Sequence, residues 1–469
     1  EDVEFKKLIY MLCPGYKLPT RKTLSQSLIP KMFKKQEEKV KHKMENANAV
    51  CLTTDGWTSD NNDSFIAVTG HYLISTADET KLHSNLLGCV EYNDRHTSQN
   101  LSEFLKNIMR EWSIEHKVTA VASDNAANIT AALREGEMRQ IPCFAHTLNL
   151  CVLSALHQLG PYLSKVKSIV EYFKRSSQAN HKLTEVQKQL NLPPLKLKQD
   201  VATRWNSTYD MLQRFCSAKQ AIVMTTAVTR NNLLLTDYDW LVIESAVPVL
   251  KLFYDITVEL SAEKNVSLSK VVPICRIMLN QIKNILQNTS NDIPEIKALI
   301  ESLHKELSHR FNNTEINVLN TESTILDPRF KQKGFRDQRL LCDKAIQELK
   351  LKIGRVSSVP SRTTAPSEPV VPGPSTSETS IWFDFDQELD KYLQEPLLKR
   401  TEDPLKWWHA RKNIYPLLFN YIIKRLNLVA TSVPCERIFS KAGYTLNERR
   451  RRLTTKKLSQ LLFISCNSE

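Results

Sequence analysis

Glycine is scarce in this sequence, at 10 of 469 residues, roughly a third of the usual share. Few glycines leave few tight turns, which argues against a many-stranded sheet protein and for long helices. Cysteine is present but never paired at short spacing. Cys13, Cys51, Cys89, Cys143, Cys151, Cys216, Cys275, Cys342, Cys435 and Cys466 are spread singly. With no Cys-x-x-Cys pair, the sequence argues against a zinc ribbon or finger within this chain. Several of these cysteines lie in apolar runs and read as small buried hydrophobes. No apolar run is long enough to span a bilayer, and neither a signal-peptide pattern nor a disulfide framework is present. We therefore expect no membrane partner and an intracellular, reducing compartment. The chain opens on Glu1 rather than methionine, which leads us to expect further sequence upstream.

What is there is ordinary in polarity and basic in charge. Hydrophobic residues make up 41% and charged residues 25% of the chain, enough for a sizeable core and more than one domain. Against 51 Asp+Glu stand 64 Lys+Arg, a formal charge of +13. Such an excess favours a polyanionic partner, nucleic acid being the commonest, although it also serves plain solubility. Part of it is clustered, at Lys34, Lys35, Lys39, Lys41 and Lys43 and again at Arg449 to Arg452.

Periodicity divides the chain. Residues 1–46 read as helical, broken at Pro14-Gly15 and Pro19. Ala49-Val50-Cys51-Leu52-Thr53-Thr54 is a short apolar and β-branched run ending at Asp55-Gly56, the pattern of a buried strand meeting a turn. Runs at 65–74 and 86–90 predict two further strands, and Leu101, Leu105 and Ile108 mark an amphipathic helix over 97–112. Val118 to Ser123 predicts a fourth strand, ending at Asp124, followed by a helix and a last strand near Ile141-Pro142-Cys143. Three strands, a helix, a strand, a helix and a strand make a mixed α/β unit, which we assign to 47–175. Residues 176–353 read as an all-α insertion. Residues 354–380, rich in proline, serine, threonine and valine without periodicity, predict a disordered linker. Residues 381–469 are again helical.

Asp55 and Asp124 both sit at ends of predicted buried strands. A carboxylate there must reach solvent, a partner or a cation, and two on neighbouring strands suit a hard divalent metal. Asp-Gly and Asp-Asn at strand ends are also routine turn chemistry. Pattern alone leaves both readings open.

The surrounding words resemble one family. Leu52-Thr53-Thr54-Asp55-Gly56-Trp57-Thr58-Ser59 and Ala122-Ser123-Asp124-Asn125-Ala126-Ala127-Asn128 resemble the segments carrying the two catalytic aspartates of hAT transposases. Pro142-Cys143-Phe144-Ala145-His146-Thr147-Leu148-Asn149-Leu150 looks like that family's Cys-x-x-His block, and Asp200-Val201-Ala202-Thr203-Arg204-Trp205-Asn206-Ser207 like its Arg-Trp block. Ser432-Val433-Pro434-Cys435-Glu436-Arg437-Ile438-Phe439-Ser440-Lys441-Ala442-Gly443 is similar to the block holding the catalytic glutamate and opening the C-terminal dimerisation region. The blocks occur in the family's order. Phe5 to Ser27 and Leu326-Asp327-Pro328-Arg329-Phe330-Lys331 narrow the likeness to the subgroup of BED-type zinc-finger proteins.

The resemblance implies an RNase H-like α/β core with a mixed sheet, interrupted by a large all-α insertion and completed by 381–469. It makes Asp55, Asp124 and Glu436 the catalytic and metal-binding triad, served by two Mg²⁺ or Mn²⁺ ions. Cys435 stands where the family commonly has serine. It implies DNA contacts at Arg204, by phosphate, and at Trp205, by stacking on an extruded base; a lone Trp in a helical region is otherwise a core aromatic. Arg449 and Arg450 are candidate phosphate contacts, or a solvated face. Cys143 and His146 are expected near the acidic site, and zinc only in a BED finger upstream of this chain. The expected partners are DNA and a second copy, through apolar helices at Leu405 to Leu428 and Leu458 to Ile464, and the expected compartment is the nucleus. Two functions stay open: a metal-dependent DNA transposase, or a catalytically silent, domesticated regulator of transcription or chromatin.

Overall fold

The computed structural model describes residues 2–59, 62–262, 265–288, 293–335, 339–357, 377–446 and 453–468. The chain forms two compact units, Glu1–Ile141 with Ser432–Glu469, and Pro142–Thr431.

The first unit is built on a five-stranded sheet of order β3-β2-β1-β4-β5. Its strands are β1 (Val50–Thr58), β2 (Ser64–Ser75), β3 (Thr80–Glu91), β4 (Val118–Ser123) and β5 (Gln140–Pro142). β1, β2 and β3 form an antiparallel meander, and β4 runs parallel to β1, with Thr53 opposite Ala122. The parallel pair needs a crossover, which the helix Ser98–Glu111 supplies. Thr97 starts that helix, its hydroxyl accepting from the Asn100 amide, and Leu101, Leu105, Ile108 and Met109 are buried. β1 is central, and Val50, Cys51, Leu52, Thr53 and Thr54 are all buried, so it reads as a continuous apolar run rather than an alternation. The sequence order of strands and helices predicted for this region is the order observed.

Two segments distant in sequence pack on this sheet. The helix Ile29–Glu45 buries Val40 and Met44. A Cβ on Gly70 of β2 would stand 2.8 Å from the Met44 methyl and 3.2 Å from Leu87, so any larger residue there would have to displace these side chains. From the far end of the chain, the helices Val433–Thr445 and Thr455–Asn467 return to the same core. Phe463 packs between Phe33, at 4.9 Å, and Trp112, at 5.9 Å. The last helical residue closes the edge strand: Asn467 Oδ1 accepts from the Leu86 amide at 2.9 Å, and its Nδ2 donates to the Leu86 carbonyl at 2.9 Å. An edge strand otherwise exposes such groups for pairing with another chain.

The second unit is helical throughout its described residues. Apolar stripes at helical spacing face its core: Leu163, Val166, Val170 and Phe173; Val249, Phe253, Ile256 and Leu260; Ile296, Leu299, Leu303 and Leu307 are all buried. The third stripe belongs to the helix Pro294–Arg310. Three boundaries differ from expectation. Residues 142–175, expected with the sheet, belong to the helical unit, which extends to Thr431 rather than stopping at 353. The helix Phe144–Leu156 packs on Pro294–Arg310 and Asp237–Leu260, and an apolar stripe announces a buried face without naming its partner. The ends of the segment 354–380 lie in the helices Arg339–Ser357 and Ser377–Gln394, while 358–376 falls outside the described residues. The helices Leu405 to Leu428 and Leu458 to Ile464, expected to make the dimer contact, spend Leu405, Trp408, Leu418, Leu426, Leu458 and Leu462 on the cores of their own units. No helix among the described residues is long and apolar enough to cross a membrane.

Candidate functional site

The acidic constellation falls within the first unit. Asp55 is near the end of β1, and Asp124 is the first residue after β4. The parallel pairing of β1 and β4 reaches Thr53 opposite Ala122, so Asp55 and Asp124 each follow two residues beyond it, toward the carboxyl side of the sheet. Such strand ends are where open α/β sheets take ligands. Each carboxylate is held by local backbone: Asp55 Oδ1 accepts from the Gly56 amide at 2.9 Å, and Asp124 Oδ1 from the Ala126 amide at 3.3 Å. Both are half-buried and both line one cavity.

Glu436 approaches from the other end of the chain. It lies in the first turn of Val433–Thr445, where the helix dipole favours a negative charge. The preceding residue fixes that helix to β1. Cys435 Sγ is 3.2 Å from Thr53 Oγ1 and 3.5 Å from the Ala67 carbonyl, and Phe439 stacks on Trp57 at 5.8 Å. Side chains alternate along a strand, so Thr53, Asp55 and Trp57 share the face on which this helix lies. Burial, with the nearby Asp55 carboxylate adding, pushes the Cys435 thiol well up. The thiol is therefore neutral, an anchor rather than a competing ligand. Glu436 itself is half-buried and is not part of the cavity lining. Among the described residues, no three His, Cys, Asp or Glu side chains stand close enough to hold one metal ion.

The remaining candidates lie elsewhere. Arg449 and Arg450 are outside the described residues. Cys143 and His146 belong to the second unit. Cys143 is buried and caps the helix Phe144–Leu156, its sulfur accepting from the His146 amide at 3.4 Å. Their spacing is that of a helix start. Arg204 is exposed. Trp205 is 1% exposed and packs in the helical unit, as the core-aromatic alternative has it rather than the stacking one. The Arg-Trp block is a knot of hydrogen bonds. Asn149 accepts from the Trp205 amide at 3.0 Å and donates to the Thr203 carbonyl at 3.1 Å. Asp200 accepts from Ser207 at 2.9 Å and Thr208 at 2.7 Å, and pairs with Lys167 at 2.6 Å.

Sequence reasoning missed Cys435 as the residue that seats the glutamate, and His96 at the rim of the cavity. The substitution of serine by cysteine was visible, but its contact with Thr53 was not. His96 lies in a polar loop with no periodic signal.

Comparison with known proteins agrees with this architecture. Residues 53–141 match the ZBED1 RNase-like domain, 141–248 the ZBED1 RNase-like helical domain, and 388–468 the hAT family C-terminal dimerisation region. The chain is 26% identical to zinc finger BED domain-containing protein 4 of Homo sapiens, over 100% of this chain and 42% of that protein. It is 26% identical to a putative AC transposase of Zea mays, over 98% of this chain and 62% of that protein. Against zinc finger BED domain-containing protein RICESLEEPER 1 of Oryza sativa subsp. japonica the identity is 23%, over 88% of this chain and 64% of that protein. The chain thus spans between 42% and 64% of the length of these relatives. With an RNase H-like sheet, a helical domain inserted after it and a hAT dimerisation region at its end, this chain belongs among the hAT-type, transposase-like proteins.

Proposed function

We propose that the first unit is a metal-dependent centre for cutting and joining DNA, in a nuclear protein that binds DNA and pairs with a second copy of itself. The observation that supports the reading is that Asp55 and Asp124 line one cavity, with Glu436 on a helix seated on β1 through Cys435. The donor set suits the ions. Three carboxylates offer hard oxygen ligands, and no Lys or Arg is among the cavity-lining residues to compete for the charge. When bound, two Mg²⁺ or Mn²⁺ ions would supply activation of the attacking water or 3′-hydroxyl and stabilisation of the leaving oxygen. The chain's part is to hold Asp55 and Asp124 in place through the Gly56 and Ala126 amides and to deliver Glu436 on a rigid helix. Arg204, exposed at its helix start, and the basic residues Arg449 and Arg450 serve as phosphate contacts. Exposed Lys34, Lys35 and Lys39 add to them.

A second reading is favoured by one observation, that among the described residues no three such ligands are gathered at one point. On that reading the protein is a catalytically silent, DNA-binding and dimerising regulator. Nicking of supercoiled plasmid DNA in Mn²⁺ separates the two. The catalytic reading expects Mn²⁺-dependent nicking that falls about a hundredfold or more in Asp55→Asn, Asp124→Asn and Glu436→Gln. DNA binding without nicking, in wild type and variants alike, would leave the regulator.

A further inference from the structure

The cavity at the ends of β1 and β4 has a volume of about 300 Å³, the lower end of the range for small-molecule sites. It lies between the strand ends and the helices Ser98–Glu111 and Ala127–Glu135. Its floor is apolar, formed by Ile66, Leu101, Phe104, Leu105 and Ile129. Phe104 is half-buried, and Tyr92 packs edge-on against it at 5.4 Å and 79°. Its polar lining includes Asp55, Asp124, Ser64, His96 and Asn128. His96 is placed there by two contacts, Nε2 to Ser64 Oγ at 3.2 Å and its ring against Tyr92 at 5.0 Å.

This combination restricts the occupant. With carboxylates at its mouth and no Lys or Arg in its lining, the cavity does not itself take a phosphate. It takes a neutral, flat group with apolar faces and hydrogen-bonding edges, one ring system in size, attached to something anionic that remains at the carboxylates. The geometry points to a nucleobase subsite, receiving the base next to the phosphate that Asp55 and Asp124 address. The inference rests on the metal-dependent reading above and adds to it a second recognition element. Phe104 offers the stacking face, and Asn128, His96 and Ser64 offer groups to the base edge. The subsite belongs wholly to the first unit and is independent of Trp205.

The test uses the full chain and a fluorescent nucleotide, 2-aminopurine 2′-deoxyriboside 5′-monophosphate, with Ca²⁺. Stacking quenches this probe, so we expect saturable quenching with wild type. Asn128→Trp and Ser64→Trp, which fill the mouth from exposed or half-exposed positions, should each weaken binding about tenfold or more. Asn128→Ala, which leaves the cavity open and removes one partner of the base edge, should weaken binding less than either Trp variant. Two filling variants guard against either one failing to fold. Probe binding that both Trp variants leave intact, or no saturable quenching by wild type, overturns the subsite. Mn²⁺ binding measured on the same proteins keeps the two readings apart. Failure of the metal reading appears as Mn²⁺ binding indifferent to Asp55→Asn, whatever the probe does.

Discussion

At the scale of single residues, this structure turns on polar side chains that hold backbone in place. Asp200 is 6% exposed at its side chain. Burial would raise its pKa, but bonds from Lys167, Thr208 and Ser207 outweigh that and hold the carboxyl below its usual range. A depressed carboxyl contributes stability above its unfolded pKa and loses it as pH falls through the folded one. Asp200→Asn should therefore cost about 1–3 kcal/mol near neutral pH, and less in acid, by urea denaturation across the acidic range. Lys331 gives the opposite sign. Burial, with Arg411 adding, lowers its pKa to about 8, while its ammonium donates to the Tyr392 and Glu395 carbonyls. A lysine whose folded pKa lies below its unfolded one makes the folded state the poorer proton binder. Stability then rises with pH from about 8 toward the ordinary lysine value of 10.5. Lys331→Met should flatten that rise in denaturation series run from neutral to alkaline pH. Both residues belong to words that marked the family in the sequence, Asp200 to the Arg-Trp block and Lys331 to the Asp-Pro-Arg-Phe-Lys run. In both, the structure shows clasping rather than chemistry. Trp205 makes the same point, since a Trp that packs and a Trp that stacks on a base are spelled alike.

At the scale of elements, what was legible was what local physics decides. Apolar period and caps are enough to read the buried run of β1 and the start at Thr97 of the helix that crosses from β3 to β4, whereas the turn expected at Asp55-Gly56 is strand, β1 continuing to Thr58. What was illegible was the partner of each face. Residues 142–175 carry a clear stripe, but nothing in a stripe says whether it meets a sheet or other helices. Likewise the seating of Glu436 depends on Cys435 touching Thr53, residues far apart in sequence. The closing helix is a case where one side chain finishes an element. Asn467 takes the place of a neighbouring strand against Leu86, and also accepts from Asn85 at 3.1 Å. Asn467→Ala removes these partners from buried groups, at a cost of about 1–3 kcal/mol. Hydrogen exchange should show faster exchange of the Leu86 amide than in wild type, with protection in β1 unchanged.

At the scale of the whole chain, the sheet unit is discontinuous. Its last two helices arrive after the insertion Pro142–Thr431. Joining distant segments is tolerable because closure entropy grows slowly, each doubling of a loop costing only about 0.6 kcal/mol. The reward is a glutamate delivered on a helix whose position the sheet itself determines. The chain around it carries a formal charge of +13, and its residues 388–468 match the hAT family C-terminal dimerisation region. Direct Mn²⁺ binding, followed by electron paramagnetic resonance on wild type and on Asp55→Asn, Asp124→Asn and Glu436→Gln, tests the central claim without any need for a DNA sequence. The account predicts bound Mn²⁺ in wild type and at least tenfold weaker binding, about 1.4 kcal/mol, in each aspartate variant, with Glu436→Gln weakened in the same direction. Binding of Mn²⁺ that is the same in all four proteins would contradict it.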